Sequence, residues 1–174
     1  MAGPSSRNAT FAIRLNKAAF TFSAAHFITY AGDVCEPLHG HNYRVAIEAD
    51  GVLDENAYVL DFIATRDALS AITTELDHRM LLPTGHPLIG VEEATGPLGG
   101  DELVVTFGDR RWVFPKGECV RLPVTNTTAE LLARWIGERL LVALAERGET
   151  PPTRLVVEVD ECDGQVGVCR LGRS

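Results

Sequence analysis

The chain has 174 residues, 45% of them hydrophobic, and a formal net charge of −8. That length and apolar fraction suit one compact domain with a real core. No apolar run approaches the ~18 residues of a membrane helix, and the acidic balance argues against non-specific nucleic-acid binding while leaving room for an anionic ligand in a locally positive pocket.

Residues 1–10 are small and polar and read as a flexible lead-in without the apolar stretch of a signal peptide; residues 11–174 read as the single domain. The cysteines Cys35, Cys119, Cys162 and Cys169 form no Cys-x-x-Cys pair, so a reduced, cytoplasmic setting is expected rather than a disulfide framework. Residues 11–25, rich in Ala, Phe, Ile and Thr, predict a strand, and residues 42–50 alternate apolar and polar as a second, with Gly51 as the break. The two form an antiparallel pair joined by a long loop that carries Cys35. Phe62, Leu69, Ile72 and Leu76 then recur at helical spacing behind Asp61 as N-cap, and Asp77-His78 closes this helix.

Residues 83–102 are rich in Gly and Pro and predict an irregular loop. Residues 103–107 and 111–114, split by Gly108-Asp109-Arg110, predict a small hairpin, so about 83–123 reads as an insertion. Thr127 and Glu130 have the spacing of a capping box. Behind them Leu131, Leu132, Trp135, Ile136, Leu140 and Leu144 line a helix face that ends at Gly148. Residues 155–159 and 165–171 predict two more strands that turn at Asp163-Gly164. This order describes an α+β fold with helices on one face of an antiparallel sheet.

Three of the five histidines, His26, His39 and His41, fall within a short segment. His39 and His41, two residues apart, project from the same face of an extended strand. Three imidazoles with a fourth position left open describe a catalytic zinc site, where zinc acts as a Lewis acid on a carbonyl or hydroxyl oxygen. The plain alternative is histidines that face solvent. Gly40 between them is needed if backbone approaches the ion or a substrate closely.

Cys35 lies in a polar segment near that cationic centre, surroundings that lower a thiol's pKa. The plain alternative is a small buried hydrophobe, the usual fate of a cysteine; otherwise it reads as a fourth zinc ligand or as a proton-transfer group. In Asp77-His78 a carboxylate that orients the imidazole would make His78 a better base. Neighbours on a helix point about 100° apart, so direct contact requires a turn there. The alternatives are a His that merely favours the helix dipole, or one that hydrogen-bonds Cys35. Glu161 shares a strand face with Val157 and Val159, and an acid there needs a partner. Two N–H donors of a planar heterocycle would serve; otherwise the strand has simply reached solvent.

Taken in order, Phe22-Ser23-Ala24-Ala25-His26, Cys35-x-x-x-His39-Gly40-His41-Asn42-Tyr43, Leu76-Asp77-His78, Thr127-Thr128-Ala129-Glu130 and Glu161 resemble the 6-pyruvoyl- and 6-carboxy-tetrahydropterin synthase family over about residues 11–171. The resemblance implies the tunnelling fold: a four-stranded antiparallel sheet with two helices on one face, here with an inserted loop and hairpin, assembling as a homo-oligomeric trimer or dimer of trimers with sites between subunits. It implies zinc on His26, His39 and His41, catalysis by Cys35, Asp77 and His78, and a pterin ring held by Glu161 with help from Thr127 or Thr128.

The three residues between Cys35 and His39 are similar to the spacing in bacterial 6-carboxy enzymes. The implied reaction converts 7,8-dihydroneopterin triphosphate to 6-carboxytetrahydropterin, acetaldehyde and triphosphate, on the route to 7-deazaguanines such as queuosine. The alternatives are the 6-pyruvoyl product or a pterin-binding protein without turnover. The chain departs from the family in Arg79-Met80-Leu81-Leu82-Pro83, where an Asn commonly follows the Asp-His pair, and in its longer insertion, which could cover the pocket or extend an interface.

Overall fold

Alternation decides the two long strands, and the rest of the molecule is built against them. The computed structural model describes residues 9–172; most of the expected lead-in, residues 1–8, lies outside the described residues. In chain order the elements are β1 (Phe11–His26), β2 (Thr29–Tyr30), β3 (Val34–Cys35), β4 (His39–Gly51), α1 (Phe62–Leu76), β5 (Arg79–Pro83), β6 (Gly90–Thr95), β7 (Asp101–Phe107), β8 (Arg110–Pro115), β9 (Cys119–Leu122), α2 (Ala129–Glu146), β10 (Arg154–Cys162) and β11 (Gln165–Gly172), with a 3-10 turn at Lys116–Glu118.

The expected antiparallel strands lie side by side as β11-β10-β4-β1, and β5 and β9 extend them in parallel to a six-stranded mixed sheet. Both helices pack on one face. On that face Phe20, Phe22, Tyr43, Val45, Ile47, Val157 and Val159 meet Leu69, Ile72, Leu132, Ile136 and Leu140 in one buried cluster. Each such side chain contributes roughly 1.5–3 kcal/mol by leaving water. Asp61 caps α1 by accepting from the Ala64 N–H at 2.7 Å. Phe62, expected on the apolar face, is 56% exposed, because it sits in the first turn beyond the edge of the core.

The capping box does not form. Helix α2 starts at Ala129 with Thr128 as N-cap and no side-chain cap bond, because the Thr127 hydroxyl donates instead to the Phe27 carbonyl at 3.1 Å. Leu131 is only partly buried, while Ala129, Ala133 and Gly137 join the buried face. Gly137 is required by close approach: a Cβ there would lie 2.7 Å from Leu171 Cδ1 and 3.0 Å from Val157 Cγ2.

The insertion is more regular than its composition suggests. The hairpin forms as β7 and β8, but the stretch expected to be a loop contributes β6, so the unit is a three-stranded antiparallel sheet. Its Leu103 and Val105 build a second core with Phe27, Cys35, Met80, Leu82 and Ile89. Among the described residues, no helix is long and apolar enough to cross a membrane.

Candidate metal centre

Strand register brings the three histidines together. His26 ends β1 and pairs with His39, which opens β4, while His41 pairs with Ala24. His39, His41 and Tyr43 follow the core-facing alternation of β4 and emerge at its end beside the fully buried His26. The ligand nitrogens of the three histidines all lie within 4.8 Å of one another, a group able to hold a metal ion.

Second contacts orient two of the rings. His26 Nδ1 donates to the Thr127 carbonyl, and His39 Nδ1 to the Pro37 carbonyl, each at 2.9 Å. A carbonyl only accepts, so each Nδ1 carries a proton, and Nε2 is the nitrogen each ring can offer to a ligand. Burial lowers the pKa of His41 more than the nearby Glu161 raises it, which favours the neutral, ligating form.

Gly40 is explained by the neighbouring strand. A Cβ at this position would sit 2.9 Å from the Ala24 carbonyl oxygen. The close approach is therefore that of β1 backbone and not, as the sequence suggested, that of an ion or a substrate.

Glu161, at the end of β10, closes the remaining side. Its Oε1 lies 3.2 Å from His26 Nε2 and 3.6 Å from His41 Nε2, and it accepts from the Tyr43 hydroxyl at 3.3 Å. Contact with His26 is the main reason its carboxyl is held below the usual range, against an opposing effect of burial. Burial and the Glu161 charge push the Tyr43 phenol well up, so it stays a donor. Three imidazole nitrogens and a carboxylate oxygen thus converge on one small space, a set of donors suited to a cation. The donor set therefore fits a metal that takes neutral imidazoles and keeps a position open.

Cys35 departs from expectation. It is 8% exposed within the second core, and burial raises its pKa, outweighing the opposing pull of Arg110. The segment is polar in sequence, but the side chain turns away from its neighbours into the inserted sheet. The metal-ligand group contains the three histidines without Cys35, and the thiol's hydrogen bond goes to the Glu36 carbonyl at 3.5 Å.

The turn required for an Asp77–His78 contact is present. His78 has φ +57°, and its Nδ1 lies 2.9 Å from Asp77 Oδ2. Asp77 Oδ1 accepts from the Ser23 N–H at 2.7 Å, the principal cause of its lowered pKa. The His78 N–H donates to the Ser23 carbonyl at 2.6 Å, so the pair is tied to β1 three residues before His26. The His78 side chain is 81% exposed.

Thr127 and Thr128 divide. Thr127 is fully buried, its hydroxyl spent on Phe27 and its carbonyl on His26. It positions the metal centre from behind instead of facing a ligand, which corrects its expected substrate contact. Thr128 is partly exposed and its hydroxyl is not used in capping.

Two clefts share His41. One, of about 300 Å³, is lined by His41, Arg44, Asp160 and Glu161. The other, of about 550 Å³, is lined by Ser23, Ala25, Asn42, His78, Met80 and Phe114. Sequence reasoning missed three contributors. Tyr43 continues the 39, 41, 43 alternation, which was a usable signal. Glu36, whose Oε2 lies 3.8 Å from His39 Nε2, and Asn126, which grips both N–H and carbonyl of Thr29, had none.

Comparison with known proteins agrees with this geometry. Residues 15–170 match the family model described as 6-pyruvoyl tetrahydropterin synthase. A Pyrococcus horikoshii relative, provisionally named 6-carboxy-5,6,7,8-tetrahydropterin synthase, is 33% identical over 120 residues, 68% of each chain. A Methanocaldococcus jannaschii relative with the same provisional name is 29% identical over 153 residues, covering 87% of this chain and 90% of that one. The crystal structure of Plasmodium vivax 6-pyruvoyl tetrahydropterin synthase superposes with a TM-score of 0.82 at 26% identity, over 95% of this chain and all of that one. A variant of that protein, described as altered at a catalytic glutamate, superposes equally well.

Proposed function

The chain belongs to the 6-pyruvoyl tetrahydropterin synthase family, and from that premise we propose that it is a zinc-dependent 6-carboxy-5,6,7,8-tetrahydropterin synthase. It converts 7,8-dihydroneopterin triphosphate to 6-carboxytetrahydropterin, acetaldehyde and triphosphate, in the cytoplasm, on the route to queuosine and related 7-deazaguanines. The observation that carries this reading is the trio of clustered imidazoles with Glu161 facing their open side. The names of the archaeal relatives support the 6-carboxy product over the 6-pyruvoyl one.

His26, His39 and His41 would hold zinc, which would supply Lewis acidity toward a hydroxyl oxygen of the substrate. Glu161 anchors the ring: its contacts within the protein all use Oε1, and Oε2 is the oxygen a heterocycle's N–H groups meet. Thr128 lies beside α2's open N-terminus as a further polar contact. Cys35 is the proton-transfer group of this reading; burial raises its pKa, so the thiol must give up its own proton before it accepts one from substrate. Asp77 fixes the tautomer of His78, which moves the second proton. On this reading the chain assembles as a trimer or dimer of trimers, with a neighbouring copy completing the site.

A second reading concerns Glu36. It stands beside Cys35 and 3.8 Å from His39, and a glutamate is described as catalytic in the Plasmodium vivax protein. On this reading Glu36 shares proton transfer with Cys35. Incubating the zinc-loaded protein with 7,8-dihydroneopterin triphosphate and identifying products by mass spectrometry tests the proposal. 6-Carboxytetrahydropterin with acetaldehyde is the expected result; a 6-pyruvoyl product overturns the product assignment, and no turnover overturns the enzyme reading.

A further inference from the structure

The inserted sheet has no part in the chemistry described so far, yet one of its side chains reaches the catalytic loop. Arg110 opens β8 just after the Gly108 turn, where φ is +57°. Its Nη1 donates to the Cys35 carbonyl at 2.6 Å and to the Glu36 carbonyl at 3.2 Å. The guanidinium lies over the Trp112 ring, 4.8 Å from its centroid, and Trp112 in turn stacks on Phe27, with centroids 4.8 Å apart and planes 18° apart. Phe27 directly follows His26, and its carbonyl takes the Thr127 hydroxyl that fixes the back of the metal centre.

We propose that Arg110 is a positioning residue for the proton-transfer loop: it clamps the consecutive carbonyls of Cys35 and Glu36, and through Trp112 and Phe27 it sets that loop against the metal centre. Three features argue for this. A guanidinium that bonds two successive carbonyls fixes both position and direction of the segment, which a single bond cannot do. The partners are backbone atoms, so the clamp itself occupies neither the thiol nor the Glu36 carboxylate. The second core around Leu103 and Val105 holds β7 and β8 rigidly behind it, as a precise site requires. The insertion thus buttresses the catalytic loop, where the sequence offered a pocket cover or an interface.

The proposal rests on Cys35 as the proton-transfer group, and its test separates the two. Charged groups that act on the thiol are Arg110 and Glu36. In zinc-loaded Arg110→Ala, kcat should fall about tenfold or more, as expected for loss of charge-assisted hydrogen bonds, with KM and zinc content unchanged. The pH midpoint of Cys35 alkylation by iodoacetamide should move up, because the guanidinium no longer favours the thiolate. Arg110→Lys should restore the midpoint and not kcat, since an ammonium keeps the charge but lacks the planar group that stacks on Trp112 and so aims the one donor nitrogen at both carbonyls. Should the alanine variant be insoluble, Arg110→Gln serves for the same measurements. Unchanged kcat and an unchanged midpoint in a soluble variant would overturn the clamp, and full recovery of kcat by lysine would reduce it to a charge effect. The alkylation profile reads the clamp even in the absence of turnover, so failure of the enzyme reading is seen separately in the wild-type protein.

Discussion

The antiparallel strands β1, β4 and β10 and the inserted sheet β6-β7-β8 serve the same site in different ways. The first set places its histidines by ladder register, His26 opposite His39 and His41 opposite Ala24, while Glu161 stands at the register shift between Asp160 and Cys162 near the end of β10. Once the core face is chosen, alternation leaves the histidines no other direction. The inserted sheet places nothing by register. It supplies a wall of apolar side chains around Cys35 and one arginine against its backbone. The contrast suggests that metal binding is a property of the main core, whereas proton transfer depends on the insertion as well.

Substitutions can break this division. The largest effect on turnover should come from Cys35→Ala, a loss of about 10²–10⁴-fold, the range for a positioned acid or base, with zinc content unchanged by elemental analysis. Unchanged activity would remove Cys35 from the mechanism. Gly40→Ala should cost about 1–3 kcal/mol in urea unfolding, as overpacking typically does, because a Cβ meets the Ala24 carbonyl at 2.9 Å. Here zinc affinity should weaken as well, since the two ligand-bearing strands are forced apart; wild-type stability would show that the strands can shift freely.

The smallest effect concerns Asp77. Its pKa is lowered, first by the Ser23 N–H and then by His78. Such a carboxylate contributes stability that is present above its unfolded pKa, about 3.9, and is lost as pH falls through the lower folded value. Asp77→Asn should therefore be slightly less stable than wild type at neutral pH, by ~1 kcal/mol or less for so exposed a group. The difference should vanish in strong acid. A gap that persists or grows below pH ~3 would show that the carboxylate charge is not the cause.

What was legible in the sequence follows the same line. Strands 11–25 and 42–50 and both helices were readable because a half-buried element repeats its apolar residues with a fixed period. His26, His39, His41 and Glu161 were legible because each continues such a pattern to its end. Strands β5 and β9 were not, since Arg79-Met80-Leu81-Leu82-Pro83 and Cys119-Val120-Arg121-Leu122 are short and pair in parallel, without clean alternation. Strand β6, Gly90-Val91-Glu92-Glu93-Ala94-Thr95, is polar and flanked by Gly and Pro, so its pairing with β7 decides its structure. The roles of Thr127 and Arg110 depend on Phe27 and on the Cys35 loop, contacts about 75 to 100 residues away in the chain. Local spacing at Thr127 instead suggested a helix cap.

The most direct test of the account is zinc analysis of the purified protein beside the His39→Ala/His41→Ala double variant. The account predicts one zinc per chain in the wild type and none retained by a folded double variant, because two of three ligands are gone and Cys35 lies outside the ligand group. A folded double variant that still holds one zinc per chain would contradict the metal assignment and the reaction built on it.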